Sequence, residues 1–578
     1  MKSGAIKRGE AELRRVRGQS RALYCVVVVF SLFANVLLLT GPVFMLQVYD
    51  RVLGSGSQET LVALSGLVLF LFLVLGLLDH LRGRIMTRIG LRFQADLDKR
   101  VFDAVLRKSA LMPDETTRQG IHDLEAVQRL ITSPVLIAVF DLPWTPLFFV
   151  AIFAFHPLLG LGALIGAVLL VAITISNQIL SREPQAKADL AAQAAGVIEG
   201  QLRQEAENVH ALGMADAAYH RWQGARAIAS KNQLSVADIG GGFGVLTRTL
   251  RLALQSVMLG LGAWLVLQGQ MSGGAMIAGS VLMGRALAPV EALLNHWPVL
   301  QQGRKGWLGL AALLGAVGTV PSRTDLPAPA ARLSVENLTV VPPGQKRATL
   351  KSVSFDLVPG QAVGVIGPSA SGKSTLARAL IGAWPAAGGQ VRLNGATLNQ
   401  FGPLSLGRYI GYLPQKLTLF DGTIGENIAR LAQNADDKKV VAAAKKAAAH
   451  EMIMALPLGY DTVIDAGKTQ LSGGQIQRIG LARSLYDDPV ILILDEPNAN
   501  LDHNGSLALN QAIRSMKDAG KAVLIMAHRP AAIQECDMLL ILDAGMRVAF
   551  GPKGEVLAGM VKNAEAIKEV PARAGGLG

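Results

Sequence analysis

Gly367-Pro368-Ser369-Ala370-Ser371-Gly372-Lys373-Ser374-Thr375 stands directly after the apolar run Val363 to Ile366 and directly before the helix-prone Leu376-Ala377-Arg378. That is the setting of a phosphate-binding loop. Its glycines let backbone N–H groups curl around phosphate oxygens at a helix N-terminus, while Lys373 reaches the β- and γ-phosphates and the Ser374 hydroxyl ligates Mg²⁺. A chance Gly-rich turn would lack the strand before it and the helix after it. Some 120 residues on, Ile491 to Glu496 reads as a buried strand ending in two carboxylates. Asp495 is suited to hold Mg²⁺ through water and Glu496 to polarise an attacking water. The chemistry these residues can do is transfer of a nucleotide's terminal phosphoryl group to water.

Such a site needs a parallel sheet to hold its loops. From Leu333 onward short β-rich runs, Ala362 to Ile366 and Val490 to Leu494 among them, alternate with helical patterns as in a sheet covered by helices. Everything before that has another character. The chain of 578 residues is 51% hydrophobic with a mean hydropathy of +0.36, too apolar for an ordinary soluble protein. Apolar stretches run Tyr24 to Leu46, Leu61 to Leu78, Leu130 to Phe155, Leu158 to Ile179, Val245 to Leu267 and Gly274 to Leu294, each near the roughly 20 residues of a spanning helix. Six transmembrane helices are therefore expected. The first follows a flank carrying Lys2, Lys7, Arg8, Arg14, Arg15, Arg17 and Arg21, and its length exceeds the core of a cleaved signal peptide.

Lys+Arg number 56 against 43 Asp+Glu, a surplus of 13 positive charges. In so apolar a chain this points to the positive-inside rule rather than to nucleic acid. The stretch Arg82 to Arg129 is rich in cations, whereas the connections 47–60, 156–157 and 268–273 hold only Arg51, so both termini are expected in the cytoplasm. Residues 83–129 and 180–244 are polar and helix-prone, with few breakers beyond Pro113 and Pro184, and should continue the membrane helices; a 28-residue extension reaches about 42 Å. Pro321, Pro327 and Pro329 mark a linker. The domain division expected is 1–22 as a basic cytoplasmic N-terminus, 23–316 transmembrane, 317–332 linker, 333–562 nucleotide-binding and 563–578 a flexible tail. Cys25 and Cys536 are too few and too scattered for a disulfide framework or a metal site.

Between the two phosphate motifs lies Leu471-Ser472-Gly473-Gly474-Gln475-Ile476-Gln477-Arg478. With it the sequence resembles an ABC transporter. The resemblance implies that Ser472, Gly473, Gly474 and Gln475 close on ATP held by the phosphate loop of a second subunit, hence a homodimer with two sandwiched ATP molecules. It further implies Gln415 as the Q-loop residue, catalytic and a Mg²⁺ ligand beside Ser374 and Asp495, Asp502 as the D-loop residue, and His528 as the switch histidine at the γ-phosphate. The adenine-stacking aromatic usual in the family is missing around Val341-Pro342-Pro343-Gly344, so Pro342 or Val341 is left to meet the base.

Six spans followed by one nucleotide-binding domain resemble a half-size exporter, an α-helical membrane domain of the type I exporter fold fused to an α/β P-loop ATPase. Pro42 to Leu53 with Thr60-Leu61, and Phe140-Asp141-Leu142-Pro143-Trp144-Thr145-Pro146, look like the permease of protease-secreting (PrtD-like) type I secretion systems. That resemblance spans nearly the whole chain. It implies a bacterial inner-membrane exporter that passes unfolded polypeptides, usually with a C-terminal signal and often with Gly-rich calcium-binding (RTX) repeats, to a periplasmic adaptor and an outer-membrane channel. Only about two dozen residues precede the first span, so a peptidase-like leading domain is not expected. A lipid or drug flippase of the same fold is the alternative; a soluble DNA-directed ATPase would leave six apolar spans in water.

Two charges lie at membrane depth, Asp141 near the middle of the third span and Arg285 near the middle of the sixth. Each is expected to be paired or wetted, and Arg248 and Arg251 are expected to face the same pathway.

Overall fold

The computed structural model describes residues 2–111, 115–318, 326–465, 471–498, 501, 503–527 and 533–559. It divides into two compact units that part at Gly318, the second also taking in residues 108–113. The expected linker 317–332 brackets that boundary, and the tail 563–578 lies outside the described residues.

The first unit is all helix: α1 (Lys2–Gly18), α2 (Arg21–Leu37), α3 (Thr40–Gln47), α4 (Leu53–Ser55), α5 (Gln58–Leu111), α6 (Glu115–Thr132), α7 (Pro134–Asp141), α8 (Thr145–Phe155), α9 (Pro157–Gln204), α10 (Ala206–Ala211), α11 (Ala215–Leu267), α12 (Gly273–Asn295) and α13 (Trp297–Ala316). Among the described residues, six segments are long and apolar enough to cross a membrane. With 54, 48 and 53 residues, α5, α9 and α11 run about 70–80 Å, more than twice the hydrocarbon thickness, so each joins an apolar run to a polar stretch, which follows it in α5 and α9 and precedes it in α11. Pro184 is absorbed inside α9. Within those polar stretches Glu115 opens α6, and α10 and α11 leave only Leu212 to Met214 between them, with Gly213 at φ +65°.

The basic flank is ordered rather than loose. Leu13 is fully buried and Gly9 lies so close to α13 that a Cβ would stand 2.0 Å from the Ala311 carbonyl oxygen. Arg100 on α5 donates to Glu12 (3.0 Å) and to the Val317 carbonyl (2.6 Å), while the Arg17 guanidinium sits 5.5 Å over the Trp307 ring. Lys7, Arg8, Arg14 and Arg15 remain on the exposed face.

The third span starts later than its hydropathy suggests, because Ser133 is extended (ψ 153°) and Pro134 restarts the helix as α7. Asp141 ends α7 and is paired, though not with Arg285. Arg82 Nη1 donates to Asp141 Oδ1 at 2.6 Å and to Ser31 Oγ at 2.8 Å, and Asn35 Nδ2 donates to the same carboxylate oxygen at 2.9 Å. Arg82 also holds Asp79. Arg285 is exposed and has no ion-pair partner among the described residues. On the far side of the spans, Asp50 accepts from Ser272 Oγ (2.5 Å) and Gly274 N (2.9 Å), capping the start of α12.

The second unit contains β1 (Leu333–Val340), β2 (Leu350–Leu357), β3 (Ala362–Ile366), β4 (Gly388–Leu393), β5 (Ala396–Thr397), β6 (Ile410–Leu413), β7 (Gly422–Thr423), β8 (Val463–Ile464), β9 (Ile491–Asp495), β10 (Ala522–Ala527), β11 (Met538–Asp543) and β12 (Met546–Pro552). A six-stranded sheet runs β12-β11-β3-β10-β9-β6, parallel except for β12, and a four-stranded antiparallel sheet runs β2-β1-β4-β5. The apolar runs of β3, β9 and β10 are buried because one face meets the second sheet through Val335, Phe355 and Val363 while the other meets helices through Ile479, Leu485 and Leu492. β10 separates β3 from β9, pairing Ala527 with Ile366 and Met526 with Asp495. The ends of β3 and β9 therefore lie two strands apart at one sheet edge, the usual place for a ligand in an open α/β sheet.

Candidate active site

The loop leaving β3 is shaped by two close approaches. A Cβ on Gly367 would stand 2.1 Å from the Leu542 carbonyl oxygen, and one on Gly372, at φ +101°, would stand 2.7 Å from Leu350 Cδ2. Ala370 takes φ +66° between them, and Pro368, Ser369 and Ala370 form the exposed rim while Ser371 and Thr375 are buried beneath it. Lys373 opens the helix Lys373–Leu380 with only 5% of its surface exposed, and its Nζ donates to the carbonyls of Gly367 (2.8 Å) and Pro368 (2.9 Å). Burial lowers the pKa of this ammonium, against the opposing pull of Glu496 and Asp495. Those carbonyls are weak partners that triphosphate oxygens can displace.

Asp495 ends β9 at 2% exposure and accepts from Ser374 Oγ at 3.4 Å. Burial raises its pKa above the usual carboxylate range. Glu496 follows at φ +52°, a left-handed conformation rare outside glycine, and its N–H donates to the Met526 carbonyl at 3.0 Å. The turn gives the two adjacent acids different partners: Glu496 Oε2 accepts from Gln415 Nε2 at 2.9 Å. Among the described residues no group of three or more His, Cys, Asp or Glu side chains converges as a metal cage. A Mg²⁺ held by one hydroxyl, one carboxylate and nucleotide phosphates needs no such cage, so Ser374 and Asp495, with Gln415 close by, fit it.

Ser472 is the N-cap of the helix Gly473–Leu485, its Oγ accepting from Gln475 N (3.3 Å) and its N–H donating to Gln475 Oε1 (2.8 Å). This capping box holds Gly473 and Gly474 at the start of a helix with its N–H groups available to phosphate. Asp502 and His528 lie outside the described residues. At Val341 to Gly344 the structure buries Pro342 and half-buries Val341.

Two residues were not singled out by the sequence. Gln477, 3% exposed, donates to the Pro497 carbonyl at 2.8 Å and so ties the Ser472 helix to the segment just after Glu496. Tyr412, just before the Leu413-Pro414-Gln415 segment, is pushed up to about 12 by burial and by Asp495, which keeps it a neutral hydroxyl. The available signal was Gln477's glutamine inside an otherwise apolar helix face.

The family model described as ABC transporter matches residues 350–499, and the one described as ABC transporter transmembrane region matches residues 24–290. The type I secretion system ATP-binding protein PrsD of Rhizobium meliloti is 42% identical over 543 residues, 94% of this chain and 93% of the relative. The chain belongs to the ABC transporters, among the type I secretion ATP-binding proteins. As a member it is an ATPase that binds ATP and resides in a membrane. The cyclolysin secretion/processing ATP-binding protein CyaB of Bordetella pertussis and the leukotoxin translocation ATP-binding protein LktB of Mannheimia haemolytica are each 28% identical over 551 residues, covering 93% of this chain and 76% of theirs. A bacterial Atm1-family ABC exporter with ATP bound matches in structure with a TM-score of 0.78 at 23% identity, over 96% of this chain and 99% of that one, which supports the fold.

Proposed function

We propose that this chain is the inner-membrane exporter of a type I secretion system, moving unfolded polypeptides of the RTX kind with a C-terminal signal through a periplasmic adaptor and an outer-membrane channel. The observation that carries this reading is an assembled phosphoryl-transfer site, with Lys373, Ser374, Asp495, Glu496 and Gln415 around one sheet edge, in a chain matched along 94% of its length by a type I secretion protein. The chain works as a homodimer with both termini in the cytoplasm and takes no nucleic acid. Each ATP is held by the loop Gly367 to Thr375 of one subunit and by Ser472 to Gln475 of the other.

In this reading Lys373 leaves the loop carbonyls for the β- and γ-phosphates, and Ser374, Asp495 and Gln415 hold Mg²⁺, which supplies charge neutralisation on the phosphates when bound. Glu496 orients and polarises the attacking water, Gln415 fixing its carboxylate until nucleotide arrives. His528 and Asp502 complete the γ-phosphate and intersubunit contacts. Pro342 or Val341 packs on the adenine.

Deleting the gene and comparing secreted proteins with membrane lipids tests the export reading. Loss of one or a few secreted polypeptides with unchanged lipids is expected; unchanged secretion with altered lipids would replace it with lipid transport.

A further inference from the structure

A cavity of about 560 Å³ lies in the helical unit where α9, α11, α12 and α13 converge, within the range of roughly 300–1,000 Å³ typical of ligand sites. Its position along the helices is fixed by counting. Arg248 precedes the end of α11 at Leu267, Thr174 follows the start of α9 at Pro157, and Glu291 follows the start of α12 at Gly273, each by 17 to 19 residues, or about 25–29 Å. All three lie at the end of the spans opposite the short connections, where the long polar extensions begin.

Most of the lining residues carry polar side chains, and several of these are unused. Arg251 pairs with Glu291 at 3.3 Å and Lys305 with Asp189 at 2.9 Å, while Arg248 has no ion-pair partner among the described residues. Trp297 Nε1 is buried without a hydrogen-bond partner. Gln178, Gln301 and Gln302 line the cavity and make no side-chain hydrogen bond among the described residues. One wall is bare backbone: Gly240 and Gly244 line the cavity, and with Gly241 and Gly242 they put four glycines within five residues of α11. A Cβ at any of the four would meet nothing within 4 Å. Packing inside the chain therefore does not require these glycines, although each weakens the helix relative to alanine.

We propose that this cavity receives an extended polypeptide segment bearing a carboxylate. Arg248 pairs the carboxylate, the Trp297 N–H and the Gln178, Gln301 and Gln302 amides take the segment's backbone, and the glycine wall admits it. The assignment follows from matching: carboxamides and an indole N–H complement peptide groups, and a single uncompensated guanidinium selects one negative charge. An apolar drug or lipid tail would leave all five polar groups unpaired. The proposal rests on the export reading and names where the cargo enters and what it must carry. A C-terminal carboxylate and an aspartate or glutamate side chain share this chemistry.

The test uses the full-length protein in lipid nanodiscs and three decapeptides of alternating Gly and Ser with a neutral N-terminal dye: one with a free C-terminal carboxylate, one C-terminally amidated, and one amidated with an internal Asp. At least one acidic peptide should bind roughly tenfold tighter than the neutral one, and which one identifies the source of the carboxylate. Arg248→Gln should erase that margin and Arg248→Lys restore part of it, with an unchanged melting temperature as proof of folding. Gly240→Ala with Gly244→Ala should raise thermal stability while weakening all three peptides, the opposite of what a structural role for these glycines predicts. Equal binding of the three peptides, a margin that survives Arg248→Gln, or no peptide binding at all overturns the site. The deletion strain keeps the two readings apart: secretion lost there, with no acidic preference here, discards the cavity assignment and leaves export standing.

Discussion

Gln415 and Glu496, 81 residues apart in sequence, meet at 2.9 Å through the glutamine's Nε2 and the glutamate's Oε2. The contact exists because β6, which ends two residues before Gln415, pairs in parallel with β9, which ends just before Glu496. Both residues thus leave adjacent strands at the same edge. It makes the position of the proposed base depend on a loop that a phosphate could pull away.

Glu496→Gln should preserve ATP binding and slow hydrolysis roughly 100-fold or more, since it keeps the shape and removes the group that polarises water. Lys373→Ala should weaken nucleotide binding itself. Binding and turnover measured on the same purified protein separate the two; wild-type turnover by the glutamine variant would remove Glu496 from the mechanism.

Mixed subunits test the composite site. In a dimer of one Lys373→Ala chain and one Ser472→Arg chain, one site carries both lesions and the other carries none, whereas either variant alone breaks both sites. ATPase above that of both parent variants is therefore expected on mixing. Full-rate hydrolysis by isolated monomers in detergent would show that each site is complete within one chain.

Asp123 on α6 lies against Gly309 of α13, where a Cβ would stand 2.1 Å from its Oδ2, and burial pushes its pKa up to about 6. A carboxyl whose folded pKa is raised above its unfolded value destabilises the fold while ionised, fully above pH 6, and the penalty fades as pH falls from about 6 to about 4. Asp123→Asn should raise the melting temperature at pH 7.5 and lose that advantage by pH 4. An advantage that is the same at both pH values would show that ionisation is not its source.

The phosphate loop and its partner strand were legible because short motifs dictate local backbone: β3 runs from Ala362 to Ile366 as the apolar pattern indicates, and Asp495 closes β9 as the acid-terminated run requires. The six spans were legible from hydropathy alone. The fate of Asp141 was not. Its partner Arg82 is 59 residues away in a cation-rich stretch that served only to orient the chain, and a buried ion pair leaves no periodic trace. The first helix was read as a charged flank because its many cations outweigh a sparse apolar stripe of Ile6, Leu13 and Val16, whose contacts with α13 depend on glycines at positions 9 and 315.

The Arg82–Asp141 pair gives the last prediction. The Arg82 side chain is 8% exposed and that of Asp141 18%, so removing Arg82 strands the Asp141 carboxylate in an apolar bundle, at about 3–5 kcal/mol for a buried pair, whereas removing the Asp141 charge leaves Arg82 its second partner, the half-exposed Asp79. Arg82→Met should destabilise the protein by that order and Asp141→Asn by less. The double variant should cost clearly less than their sum, with a coupling of about 1–3 kcal/mol, because no buried carboxylate is left unpaired in the bundle and the half-exposed Asp79 can meet solvent. Unfolding by SDS in mixed micelles supplies the four free energies. If Asp141 instead lined the export pathway, Asp141→Asn would alter transport with stability unchanged and the cycle would be additive; a strong coupling with transport restored in the double variant assigns the pair to holding α2, α5 and α7 together.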